Sequence, residues 1–188
     1  MNLPNDSYSV FCLEAVPDIE TFTSSNLFPM LEQLTLQYGI TNVYQNCDSI
    51  ETFESSLETL LYSDKQFKDY EVIYLSFKGE NNTIQIGNYI YSFEEIAEMF
   101  QGKLSGKILH FSNTLNLNLD EETAQYFIDV TGAKAVSGYI NTTPLISTKL
   151  DFHYLGLYDE FDDIFELVEN LFDKHYALCQ FMGFRLYY

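Results

Sequence analysis

Short runs of Val, Ile, Leu and Phe alternate along the chain with longer segments in which apolar residues recur every three or four positions. Ser9–Leu13 (SVFCL) has the continuous apolar character of a strand buried on both faces. Leu27, Met30, Leu31, Leu34 and Tyr38 follow at helical spacing, and Gly39 closes that helix. Thr41–Tyr44 reads as a second short strand. Ile50, Phe53, Leu57, Leu60 and Leu61 mark the next helix, capped by Asp48 or Ser49. Val72–Phe77 (VIYLSF) is the strongest strand signal in the chain.

Beyond it, Thr83–Ile86 and Tyr89–Tyr91 flank Gly87-Asn88, the pattern of a small hairpin. Ser92 with Glu95 forms a capping box that opens a helix carrying Phe93, Ile96, Ala97 and Phe100 on one face. Lys107–Phe111 (KILHF) predicts another strand, followed by a polar loop and a helix from about Asp120. Lys134–Ser137 predicts a strand ending at Gly138. The chain is helical again after Pro144, and Phe161, Ile164, Phe165, Val168, Leu171 and Phe172 make an apolar stripe with acids on the opposite face. Gly183–Tyr187 fits a last strand.

Strand-like runs each followed by a helix predict an α/β fold, a three-layer αβα sandwich whose mainly parallel sheet is covered on both faces. The expected organisation is one domain over residues 1–188, with the hairpin as a small insertion. In such sheets sites form at the carboxyl ends of the strands, beside the point where strand order reverses. The first and third strands are expected to flank that point. This directs attention to Glu14, to Lys78 with Gly79, to the loop after Phe111 and to the loop after Ser137.

Charge narrows the partners. The chain carries 28 Asp and Glu against 9 Lys and Arg, a net charge of −19. Such a field repels phosphate backbones and anionic lipid, so neither nucleic acid nor a membrane surface is expected as a partner. Residues 1–64 hold ten acids and no Lys or Arg, and residues 151–173 hold eight acids and again no Lys or Arg. Acidic helix faces that keep the protein in solution explain most of this, and a docking surface for a basic partner is the sharper reading.

Cys12, Cys47 and Cys179 are widely spaced and odd in number, as in a reducing cytoplasm, and the first residues lack the pattern of a signal peptide. A cytoplasmic location is therefore expected. No metal-binding motif, Gly-rich phosphate loop or Cys/His cluster is present in the sequence, so no cofactor or metal is expected. The acid runs Glu94-Glu95 and Asp120-Glu121-Glu122 fit helix first turns better than ligand sets. His110 reads as a satisfied core or rim residue, and Cys47 as an ordinary thiol.

Five stretches together carry a resemblance: Tyr74–Gly79 (YLSFKG), Ile108–Phe111 (ILHF), Gly132–Tyr139 (GAKAVSGY), Cys12-Leu13-Glu14 and Gly183-Phe184-Arg185. In order and spacing they resemble a small, functionally uncharacterised bacterial family of single domains. That family is in turn similar to caspase-like peptidases related to the CHAT domains, which implies a caspase- or flavodoxin-like sheet. In those relatives the third strand ends in F-H-G and the fourth in F-G-S-C-S-T-L, the His serving as general base and the Cys as nucleophile. Here Phe77-Lys78-Gly79 puts Lys78 in the His slot. Phe111–Leu117 (FSNTLNL) puts Thr114 in the Cys slot.

A Thr hydroxyl attacks a carbonyl only when a positioned base takes its proton, and a Lys is such a base only when it is desolvated. The resemblance therefore implies a degenerate peptidase that binds a protein or peptide, with Glu14, Lys78, Gly79, Ser112, Asn113, Thr114 and Tyr139 around the binding groove and Tyr89 and Tyr91 as further lining. Two alternatives stand beside it: a hydrolase using Thr114 and Lys78, and a small acidic immunity or inhibitor protein that neutralises a basic toxin.

Overall fold

In a computed structural model that describes residues 8–20, 24–114, 117–141, 144–158, 160–161 and 163–188, the apolar runs become the strands of one sheet. The strands are β1 (Ser9–Ala15), β2 (Thr41–Cys47), β3 (Tyr70–Gly79), β4 (Thr83–Ile86), β5 (Tyr89–Ser92), β6 (Ile108–Thr114), β7 (Ala135–Tyr139) and β8 (Phe184–Tyr187). The helices are α1 (Phe28–Tyr38), α2 (Ile50–Glu58), α3 (Phe93–Met99), α4 (Glu121–Thr131), α5 (Pro144–Tyr158) and α6 (Ile164–Met182). None of the described helices is long and apolar enough to cross a membrane.

Strand order is β2-β1-β3-β6-β7-β8, with the β4–β5 hairpin attached to the end of β3 through the pair Lys78–Gln85. All neighbours along that path are parallel except β7 and β8, which are antiparallel. The chain leaves β1 towards β2 and then crosses back to β3, so order reverses between β1 and β3, as expected from the sequence. The strand expected to stop at Gly138 runs on to Tyr139, because Gly138 pairs with Arg185 of β8 in the ladder.

Alternate residues divide the core. Phe11, Leu13, Ile73, Leu75, Leu109, Phe111 and Val136 face α2, α3, α4 and the hairpin. Val10, Cys12, Val72, Tyr74, Ile108, Ala135 and Tyr139 face α1, α5 and α6. Burial on both faces is what the continuous apolar runs encode.

The helix ends follow the predicted chemistry. Ser49 and Ser92 each accept the amide three residues on, and the side chains of Thr52 and Glu95 return a bond to the cap backbone. Asp120 and Asp163 cap α4 and α6 through their carboxylates. Gly39, Gly132 and Gly183 close α1, α4 and α6 in the left-handed conformation.

Candidate functional site

The carboxyl ends of β1 and β3 diverge around a shallow cleft of about 240 Å³, lined by Ala15, Val16, Pro17, Asp48, Lys78, Gln85 and Gly87. Lys78 stands exposed at its rim. Asp48, just past the end of β2, accepts the Ile19 amide at 3.0 Å and the Thr52 hydroxyl at 3.3 Å. The Ile19 bond leads in holding the Asp48 carboxyl below its ordinary range. Pro17, Asp18 and Glu20 continue the rim as exposed residues after β1. One wall of the cleft is therefore acidic, and Lys78 stands on the other.

Gly79 and the turn beyond it fix how the hairpin closes the cleft. A Cβ on Gly79 would lie 1.9 Å from the Thr83 carbonyl oxygen, so only glycine admits this approach of β3 to β4. Asn81 and Asn82 take the left-handed conformation that the turn demands. The Asn82 side chain then accepts the Asn118 amide at 2.9 Å and donates to the Asn118 carbonyl at 3.3 Å, tying the turn to the segment after β6.

Glu14 is engaged rather than open. Its Oε2 accepts the hydroxyls of Ser25 and Tyr44, each at 2.6 Å. Ser25 Oγ in turn accepts the Leu27 amide at 2.9 Å, so Glu14 fixes the approach to α1. Burial first, and then the bond to Glu14, push the Tyr44 phenol well above its ordinary range.

Two residues expected at the groove lie elsewhere. Ser112 and Tyr139 are wholly enclosed and point towards α5, because their places in β6 and β7 belong to the face opposite the apolar positions Phe111 and Val136. Both donate to Asp151 of α5, Ser112 Oγ at 2.8 Å to Oδ2 and Tyr139 Oη to Oδ1. Tyr91 is likewise buried, whereas Tyr89 is exposed. The backbone of Thr114 pairs with Gly79, one residue from Lys78. The side chains of Asn113 and Thr114 lie outside the described residues.

Asp151 gathers a network that the sequence reading left unassembled. It also accepts Tyr74 Oη at 2.6 Å on Oδ2 and His110 Nε2 at 2.8 Å on Oδ1, so its two oxygens receive four donors. The far nitrogen of His110, Nδ1, meets Ser137 Oγ at 2.8 Å. Ser137, His110 and Asp151 thus stand in the order of a serine hydrolase relay, although the carboxylate holds Nε2 where such enzymes hold Nδ1. All three side chains are 0% exposed, so no acyl group reaches Ser137. The relay stabilises the seam between the sheet and α5, as expected for a satisfied core histidine. Burial, reinforced by Asp151, drives the Tyr74 and Tyr139 phenols far upward and keeps them as donors.

A periodic signal for Asp151 exists. Ser147, Leu150, Asp151, Tyr154 and Leu155 recur at helical spacing, and all are buried, so the acid sits inside an apolar stripe.

The thiols are structural. Cys47 is buried, its Sγ donates to the Glu14 carbonyl at 3.8 Å, and burial pushes the thiol up to about 12. Burial raises Cys179 to about 11 and Cys12 well above its ordinary range. A thiol that is neutral and enclosed does not attack. Ellman's reagent is therefore expected to titrate none of the three in the native protein and all three in denaturant. Rapid native reaction of Cys47 would show that the rim of the sheet opens. Among the described residues no cluster of three or more His, Cys, Asp or Glu is placed to hold a metal ion.

The chain belongs to DUF6642, a family of unknown function whose model matches residues 7–188. No curated protein matches it.

Proposed function

We propose that this DUF6642 member is a catalytically degenerate, caspase-like domain that works by holding a basic peptide segment of a protein partner at the carboxyl rim of its sheet. The observation that carries the reading is the state of Lys78. In the slot that the resemblance gives to the general base, its side chain is exposed over the cleft, opposite an ionised Asp48. An amine acts as a base when a pocket strips it of water, and this rim leaves it wet. Asp18, Glu20 and Asp48 then supply the field that selects basic side chains.

Two measurements test this. A labelled Arg/Leu peptide is expected to bind, and Asp18→Lys with Glu20→Lys, both exposed positions, to weaken it at least ~10-fold. Equal binding by that variant overturns the docking site. A phosphonate probe reactive towards serine and threonine is expected to leave the protein unlabelled. Labelling that disappears in both Thr114→Ala and Lys78→Met overturns the degenerate reading in favour of a hydrolase.

A further inference from the structure

A local exception to the acidic surface lies where α5 meets α1 and α6. Two clefts meet there at Lys149. One, of about 500 Å³, runs between α1 and α5 past Met30 and Phe152. The other, of about 540 Å³, lies between α5 and α6, floored by Ile146 and Leu178 and walled by Tyr176 and Phe181. Tyr176 and Phe181 are 63% and 57% exposed, so α6 offers an aromatic face to solvent.

The charge here runs against the rest of the molecule. Lys149 and Lys174 line the α5–α6 groove, and His153 stacks on His175 at 3.7 Å between ring centres, the planes 17° apart. The backbone of α6 leaves helical geometry at His175. Two of the nine Lys and Arg residues and two of the three His residues of the chain therefore meet at one seam. Among the described residues no carboxylate lines either cleft: α1 contributes Pro29, Met30 and Gln33, and α5 and α6 contribute only cationic charged groups. Burial and the positive neighbours Lys149, Lys174 and His175 lower the affinity of both imidazoles for a proton.

We propose that the α5–α6 groove is a second docking site, one that takes an acidic peptide segment with an aromatic or aliphatic anchor. Charge complementarity selects the occupant, since an exposed apolar groove whose lining carries Lys149 and Lys174 and no acid holds a carboxylate beside a hydrophobic side chain. The net charge of −19 does not forbid it, because acids farther away than a Debye length of about 8 Å at physiological salt are screened from the groove. Nucleic acid and anionic lipid carry their charge over long surfaces that must also face the acidic remainder of the molecule. A short peptide does not. The site is independent of the rim beside Lys78.

The test uses the full chain and three rhodamine-labelled peptides of one pattern: Asp/Glu with Phe and Leu, its Asn/Gln counterpart and its Lys counterpart. The acidic peptide is expected to bind at least ~10-fold more tightly than the other two. Lys149→Glu with Lys174→Glu, both exposed, is expected to abolish that preference while leaving the Arg/Leu peptide at the other rim unaffected. Protonation adds charge to the groove, and both imidazoles hold a proton only below the ordinary value of about 6.5, so acidic-peptide affinity rises as pH falls from about 6.5 to about 5, and His153→Gln with His175→Gln removes that rise. Equal affinity for the acidic and neutral peptides, or unchanged affinity in the lysine variant, overturns the proposal. So does preferential capture of an oligodeoxythymidine or of phosphatidylglycerol vesicles.

Discussion

Asp151→Ala is expected to lower stability by about 3–5 kcal/mol, a large part of the total for a domain of this size. The substitution strands four buried donors at once: the phenols of Tyr74 and Tyr139, the Ser112 hydroxyl and the His110 ring N–H. None can turn to water, because every one of these side chains is at most marginally exposed. Urea unfolding followed by circular dichroism reads the loss as a shifted midpoint. Should Asp151→Ala fail to fold, a graded series keeps the question open to measurement. Ser112→Ala, Tyr74→Phe and Tyr139→Phe each remove one bond and are expected to cost about 1 kcal/mol apiece. A neutral result across that series would mean that Asp151 is hydrated and the seam open.

The same network sets an alkaline limit. Tyr74 and Tyr139 have folded pKa values raised by burial and by Asp151, as do Tyr44 and Tyr158 by burial and neighbouring carboxylates. Their contribution is complete below the unfolded phenol value of about 10 and declines as pH rises past it. The phenolate absorbance of these four tyrosines should therefore emerge together with unfolding.

Gly79→Ala is the second large effect, expected at about 1–3 kcal/mol or more. The new methyl would sit 1.9 Å from the Thr83 oxygen, 2.8 Å from its carbonyl carbon and 3.0 Å from Ile84 Cα, all backbone atoms. The only relief is to move the hairpin, which lifts Ile84, Ile86 and Tyr91 out of the core beneath it. Hydrogen exchange should show β4 and β5 losing protection before the central strands. Gly156→Ala is the matched control: its Cβ would approach the Tyr38 ring at 2.6 Å, but Tyr38 is 37% exposed and can swing aside. Equal costs at the two positions would refute the steric account.

Periodicity made the layers legible, because a buried strand and an amphipathic helix write different repeats. It gave the rim as well, since the ends of β1 and β3 follow from where the apolar runs stop. Three things were not written at that level. Alternation places Ser112 and Tyr139 on a definite face, yet their place near the strand ends and the resemblance drew them to the groove, and only the carboxylate on α5 reveals why polar groups can be buried there. The direction of β8 follows from parity: two antiparallel helices separate it from β7, so the chain re-enters the sheet from the end at which it left. The pairing of His153 with His175 depends on how α5 meets α6, a contact that no local pattern encodes.

At the far side of the sheet β2 pairs, among the described residues, only with β1, and it offers no charged side chain of its own between Thr41 and Cys47. Strands of that kind invite a second copy to add itself to the ladder. The guard here is held elsewhere in the sequence: every charged side chain in the first 64 residues is acidic, so two such edges approach as like charges. That guard fades towards the isoelectric point near 4.2. The acidic surplus is thus a colloidal safeguard for an edge that the described residues leave unpaired.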